Sequence, residues 1–225
     1  MRVEEIYWHV VEHRVSFPGA PLIKIRPDWR EQLRPSGPAA KLFIRQLSSA
    51  KTILDVGAGN RYWKDVLERL GINGSYQSVD VESEHAHDFD DFLAIESSFD
   101  AILMLELLEH LPVQTGLRFL DRAVNLLHPG GVLVLGTPNA AHAHWVWSGD
   151  FTHVRPWPAR DLWAILLIAG LEDVEVYRQM LTNRRRHLTL PLQMALSKLL
   201  ELDPAQGLLA FGRKPAVTGA GIATH

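Results

Sequence analysis

The chain has no cysteine. Disulfides, thiolate metal sites and cysteine nucleophiles are therefore excluded together. No run reaches the roughly 18 uninterrupted apolar residues that a membrane span requires. The opening MRVEEIYWHVVEH carries acids and histidines where a signal peptide needs an apolar stretch. A cytoplasmic protein with no membrane span is the expectation. A formal net charge of −3 gives no general attraction to nucleic acid or to an anionic surface. Internal repeats and low-complexity runs are missing too.

What is present suits one sizeable domain. The 225 residues are 47% hydrophobic, enough for a normal globular core. Residues 1–50 are the least legible, because Pro18, Pro21, Pro27, Pro35 and Pro38 break them into short pieces before a helical pattern over 38–50. They read as an N-terminal cap. From there strands alternate with helices: a strand at 51–56, a helix over 61–70, a strand ending at Asp80, and an acidic loop with a short strand near Phe89 to Phe92. The apolar run FDAILMLEL follows, then a helix over 115–127, a strand over 131–139, a helix over 159–170, a strand over 172–179 and a closing strand at GLLAFGRKP. This order predicts a doubly wound α/β domain over 51–214, with an insert at about 183–204 and a frayed tail from 215.

In such sheets a ligand binds at the carboxyl ends of the strands, where the strand order reverses. The stretch ILDVGAGNRYW (53–63) places a glycine turn there. Gly57 and Gly59 allow close backbone approach. A dinucleotide binder would carry a third glycine at position 62, facing a pyrophosphate; here the residue is Tyr62. Asp55 also sets a negative charge where a phosphate would come near. Both departures favour a ligand with a positive group and no phosphate.

Ile53-Leu54-Asp55-Val56-Gly57-Ala58-Gly59 resembles the first motif of the class I S-adenosylmethionine (SAM)-dependent methyltransferases. The resemblance covers about residues 40 to 214 and implies a seven-stranded Rossmann-like sheet whose last strand is antiparallel. It implies SAM as cofactor, with contacts at Asp55, Gly57, Gly59, Asn60, Asp80, Val81, Asp90, Asp91, Phe92, Leu105 and Glu106. Asp80 stands where the family holds the ribose diol; two charge-assisted hydrogen bonds of roughly 1.5–3 kcal/mol each would make it a principal anchor. Asp90, Asp91 and Phe92 look like the adenine segment, although in an acidic loop both acids also read as ordinary solvated charges; Asp55 taken alone also reads as a helix cap.

Beyond the cofactor, ELLEH (106–110) resembles the Glu-x-x-Glu-His of the ubiquinone-pathway O-methyltransferases, which implies a magnesium-type ion at Glu106, Glu109 and His110. The reading preferred for this chain is that no metal is used and that these residues pack and hydrogen-bond. HAHWVWSGDFTHVRPW (142–157) is rich in Trp and His. Asp150, His153 and Trp157 match a family element there, and His153 is the first candidate for a general base, with His110 beside it. Trp145, Trp147 and Trp157 either line an apolar substrate pocket or form the loop's own core. Arg155 either binds a substrate acid or pairs with Asp150. Arg184, Arg185 and Arg186 either meet an acidic substrate group or form a solvated face. Leu192, Leu196, Leu199 and Leu200 make a stripe that would cap substrate or form a homodimer seam.

The acceptor is expected to be a small molecule, a hydroxylated aromatic, sugar or lipid-linked compound, with a hydroxyl ahead of an amine. Strand four lacks the Asn-Pro-Pro-Tyr-type motif of base-amine methylation, reading Leu105-Glu106-Leu107-Leu108, and no nucleic-acid partner is expected. A nicotinamide enzyme is opposed by Tyr62 and by the absence of a Tyr-x-x-x-Lys pair. A non-catalytic SAM-binding partner subunit stays open.

Overall fold

The structure, a computed structural model, describes residues 1–25, 37–81, 84–142, 150–181, 191–192, 194–197, 199–200 and 202–216. Seven strands form one sheet: β1 (Leu22–Ile25), β2 (Thr52–Val56), β3 (Ser75–Val79), β4 (Phe99–Leu105), β5 (Leu127–Pro138), β6 (Glu172–Leu181) and β7 (Gly207–Arg213). Their spatial order is β1-β6-β7-β5-β4-β2-β3. All neighbours run parallel except that β7 lies antiparallel to both β5 and β6. The chain leaves β2 on one side for β3 and returns on the other side for β4, so the crevice opens beyond the ends of β2 and β4.

Among the described residues the two faces are covered by α1 (Val3–Val15), α2 (Pro38–Leu47), α3 (Tyr62–Arg69), α4 (Val113–Leu126) and α5 (Ala159–Ile168). Alternation along β4 assigns the faces. Ile102 and Met104 pack with Leu117 and Leu120 of α4, Leu162 and Leu166 of α5, and Ile6 and Val10 of α1. Ala101, Leu103 and Leu105 pack with Phe43 and Leu47 of α2 and with Val66 and Leu67 of α3. Both faces are thus buried, which explains why β4 reads as an unbroken apolar run. Among the described residues no helix is long and apolar enough to cross a membrane.

The seventh strand comes from an unexpected place. After β3 the acidic segment makes a single parallel bridge, Val79 to Phe89, and then a short 3-10 turn at Phe92–Ala94, not a further strand. The N-terminal region instead supplies β1, which extends the opposite edge by pairing with β6 from Leu22–Arg178 to Ile25–Leu181. Helix α1 is tied to α5 by a bidentate Arg14–Asp161 pair at 2.5 and 2.7 Å. Leu192, Leu196, Leu199 and Leu200 are solvent-exposed on the single chain.

Candidate active site

The glycine turn after β2 is built by local necessity. Gly57 has φ +74°, and a Cβ there would meet Leu107 Cδ1 at 2.9 Å. Its N–H donates to the Val79 carbonyl at 2.9 Å, fastening the turn to β3. Gly59 has φ +48°, and its N–H donates to Asp80 Oδ2 at 2.7 Å. The acid at the end of β3 therefore holds the loop at the end of β2. Asn60 accepts the Tyr62 N–H at 3.1 Å, which starts α3.

Asp55 is only 1% exposed and accepts a hydrogen bond from the Tyr76 hydroxyl at 2.5 Å. Burial is the main cause that pushes its carboxyl up to about 7; the Tyr76 bond opposes this and the nearby Asp80 charge adds to it. Burial and the Asp55 carboxylate likewise push the Tyr76 phenol upward. Arg61 lies over the Tyr76 ring at 5.5 Å and donates to the Ala86 carbonyl and to Asp88, closing the loop over β3. Tyr76 and Arg61 are members of the site that motif reading missed. The signal for Tyr76 was its register position, Ile53 opposite Tyr76 across two parallel strands, and register is not legible from one sequence.

The remaining cofactor candidates are distributed as follows. Val81 is 98% exposed beside the crevice. Asp90 is exposed, and Asp91 accepts the Leu93 N–H at 2.9 Å, capping the 3-10 turn. Phe92 is 3% exposed and packs against Phe119 with ring centroids 5.0 Å apart. Leu105 is buried at the end of β4.

The turn after β4 brings the second group together. Glu106 takes φ +54°, a left-handed conformation that a side chain resists, and its N–H donates to Gly136 at 2.9 Å. Its side chain keeps access to solvent, yet the surrounding protein strips enough water to raise its pKa; Glu109 and His153 oppose that rise. Glu109 is 0% exposed. Thr137 donates to its Oε2 at 3.0 Å; no N–H or hydroxyl among the described residues donates to its Oε1, and its carboxyl shares a hydrogen bond with that of Glu106. Burial, then the neighbouring Glu106 charge, push Glu109 up to about 8.

His110 and His153 face one another with ring centroids 4.9 Å apart. A chain of contacts sets the His110 tautomer. The Thr152 hydroxyl donates to Asp150 Oδ1 at 2.6 Å, so the same oxygen can only accept from His110 Nδ1, 3.0 Å away. The proton then sits on Nδ1, and the Nε2 lone pair is directed to the Glu109 side, 3.9 Å from Oε1. Asp150 is held below its ordinary carboxylate range chiefly by the Thr152 hydroxyl, and lies 3.8 Å from His153 Nε2. Atoms of Glu109, His110 and His153 lie within 4.8 Å of one another; Glu106 is outside this group. His153 thus joins Glu109 and His110 of the trio that the resemblance implies, while Glu106 stays hydrogen-bonded to Glu109.

The loop carrying His153 is fixed to this turn by main-chain bonds. Val154 and Arg155 N–H groups donate to the Glu109 carbonyl at 2.7 and 3.1 Å. Trp157 donates from Nε1 to Leu108 at 3.0 Å and is 3% exposed, packed where Gly116 leaves room for its ring. Trp157 is therefore loop core. Arg155 is exposed and makes no ion pair among the described residues. Trp145, Trp147, Arg184, Arg185 and Arg186 lie outside the described residues. Phe151 is 99% exposed at the loop tip. A separate cavity of about 810 Å³ lies beyond β5, lined by Arg14, Asn139, Asp161, Arg178 and Asp203 among others.

A family model described as a methyltransferase domain matches residues 29–176. No curated protein shows significant similarity to the chain. Solved structures share the fold at low identity. A SAM-dependent methyltransferase from Archaeoglobus fulgidus is 16% identical, covers 83% of this chain and 100% of its own, and superposes with a TM-score of 0.63. The N-methyltransferase NodS from Bradyrhizobium japonicum, in complex with S-adenosyl-L-homocysteine, is 18% identical over 93% of this chain and 98% of its own, with a TM-score of 0.56. A Burkholderia thailandensis 1,6-didemethyltoxoflavin-N1-methyltransferase is 17% identical over 84% and 81%, also at 0.56. The glycine turn sits at the switch point of a sheet closed by an antiparallel last strand, and the matching model spans most of that sheet: the chain belongs to the methyltransferase-domain family.

Proposed function

We propose that this chain is a SAM-dependent methyltransferase acting on a hydroxyl of a small molecule. The observation that carries the reading is the Asp80–Gly59 bond, which locks a glycine turn open at the switch point with no third glycine for a pyrophosphate. Backbone at Gly57 and Gly59 would take the methionine half of SAM, and Asp80 the ribose diol. Asn60, Val81 and Leu105 border the same loops, as do Asp90 and Asp91. Asp55, already committed to Tyr76, acts on the amino end from beneath the loop, through water.

Methyl transfer from a sulfonium is an in-line displacement. The acceptor oxygen forms a bond to the methyl carbon, the carbon–sulfur bond breaks, and its electron pair stays on sulfur in S-adenosylhomocysteine. Alignment alone can lower such a barrier by roughly 7–11 kcal/mol. The hydroxyl proton must leave, and the His110–His153 pair at the crevice mouth draws it off. The Nδ1–H tautomer of His110 leaves Nε2 as the accepting nitrogen. Amine methylation is the second reading, favoured by the fold-level likeness to two N-methyltransferases.

Titration calorimetry with SAM is the direct test. Binding should weaken at least about tenfold, or 1.4 kcal/mol, in Asp80→Ala. Unchanged affinity would displace the ribose contact, and binding of NADH with none of SAM would overturn the reading. Mass spectrometry of extract incubated with labelled SAM separates an enzyme from a non-catalytic subunit, which would yield no methylated product.

A further inference from the structure

We infer that Glu109, His110 and His153 form a binding site for a divalent transition-metal cation such as Zn²⁺, Fe²⁺ or Co²⁺. The inference deepens the reading above, on which the acceptor sits at this mouth. Three observations carry it. First, one ligand atom from each residue lies within 4.8 Å of the others, close enough for a single ion to bridge with small side-chain shifts. Secondly, Glu109 is 0% exposed, no N–H or hydroxyl among the described residues donates to its Oε1, and its carboxyl is left to share a hydrogen bond with the Glu106 carboxyl. Two carboxyls held together, one of them out of water, need a positive partner between them, and a cation at that oxygen supplies one. His110 Nε2 is 3.9 Å from that same oxygen.

Thirdly, the outer contacts are those of a metal ligand. His110 carries its proton on Nδ1 because Thr152 Oγ1 is already donating to Asp150, and Nε2 is thereby left with its lone pair. A hydrogen bond from the far nitrogen of a ligating imidazole to an oxygen acceptor orients the ring and raises its basicity. Thr137 fixes the carboxyl in the opposite sense, by donating to the other Glu109 oxygen at 3.0 Å. Main-chain bonds from Val154 and Arg155 to the Glu109 carbonyl keep the loop bearing His153 against the turn bearing Glu109 and His110.

Donor chemistry decides the class of ion. Two imidazoles and one carboxylate suit zinc, iron or cobalt, with positions left open for a further oxygen. Magnesium prefers oxygen ligands and retained waters, whereas two of the three donors here are imidazole nitrogens. An ion here would bind the acceptor oxygen through an open position and make its proton easier to lose to solvent, so that in the loaded protein the ion takes over the role that the histidines have above.

The test uses the full chain, stripped with EDTA and titrated with Co²⁺ while its visible absorption is followed, then with Zn²⁺ as competitor. One Co²⁺ per chain is expected, displaced by Zn²⁺ and not by millimolar Mg²⁺. Thr152→Val, an exposed position, should weaken Co²⁺ binding about 10–100-fold by releasing the His110 tautomer. His110→Ala and His153→Ala should weaken it further, and Glu106→Gln should leave it within a few fold. No cobalt band, a band that survives both histidine substitutions, or Mg²⁺ binding that depends on Glu106 would each overturn the inference. SAM titrated into the same stripped samples keeps the two readings apart. SAM binding without cobalt binding sinks this site alone, and cobalt binding without SAM binding sinks the methyltransferase reading alone.

Discussion

Asp55→Asn removes a charge that the fold buries beneath its own cofactor loop. In the folded chain burial raises this carboxyl from 3.8 to about 7, with Tyr76 as hydrogen-bond donor. At 1.36 kcal/mol per pKa unit the penalty for ionising it in place is on the order of 4 kcal/mol. The sign follows from linkage. The folded state holds this proton more tightly than the unfolded chain, so the stability associated with it is fully present below about pH 4. That stability falls as pH rises through the window between 3.8 and about 7, and is gone above it. Asparagine has the same shape, still accepts from Tyr76 and does not titrate. The stability of Asp55→Asn minus that of the parent should therefore climb by on the order of 4 kcal/mol between pH 4 and pH 8. Urea unfolding of both proteins at half-unit pH steps measures this. Using the difference cancels the contributions of Glu106 and Glu109, which both chains share. A constant cost from the buried amide shifts the whole curve without changing its slope. A difference flat within about 1 kcal/mol over that range would refute the burial argument. The same substitution should weaken SAM binding, because the fold tolerates this charge at the site where the cofactor needs it.

Gly57→Ala should lower stability by about 1–2 kcal/mol through its left-handed backbone alone, and thermal unfolding should show that Leu107→Ala, which removes the clashing methyls, restores only part of the loss. Trp157→Ala should cost about 3–5 kcal/mol in urea unfolding, since the ring is core. Phe151→Ala should leave stability within about 0.5 kcal/mol, because the ring is almost wholly exposed. If Phe151 meets the acceptor, steady-state kinetics on that variant will show a raised KM with little change in kcat.

The sheet from β2 to β7 was legible because its signals are local. Apolar runs doubly covered by helices read as strands, and Gly57, Gly71, Gly130 and Gly170 all adopt the positive φ that ends or turns an element. Helix α1 was not legible, since its core stripe is thin, Val3, Ile6 and Val10, and is blurred by Tyr7, Trp8 and Val15, which stay exposed. Four-residue β1, set between prolines, carries too little pattern to announce an edge strand, and its pairing with β6 depends on residues more than 150 positions away.

For the site the division is similar. Sequence by itself determined the glycine turn, the acids that end its strands and the presence of a His-rich segment after strand five, because these are short-range features with their own backbone chemistry. Only the tertiary structure decided what they touch. Tyr76 meets Asp55 through the register of two parallel strands, and Asp80 turns onto Gly59 to become part of the loop's scaffold. His153 joins Glu109 and His110, carried in by a loop whose place is set by Trp157 and by the Glu109 carbonyl. Such choices are made by packing between segments far apart in the chain, and no spacing within one segment encodes them.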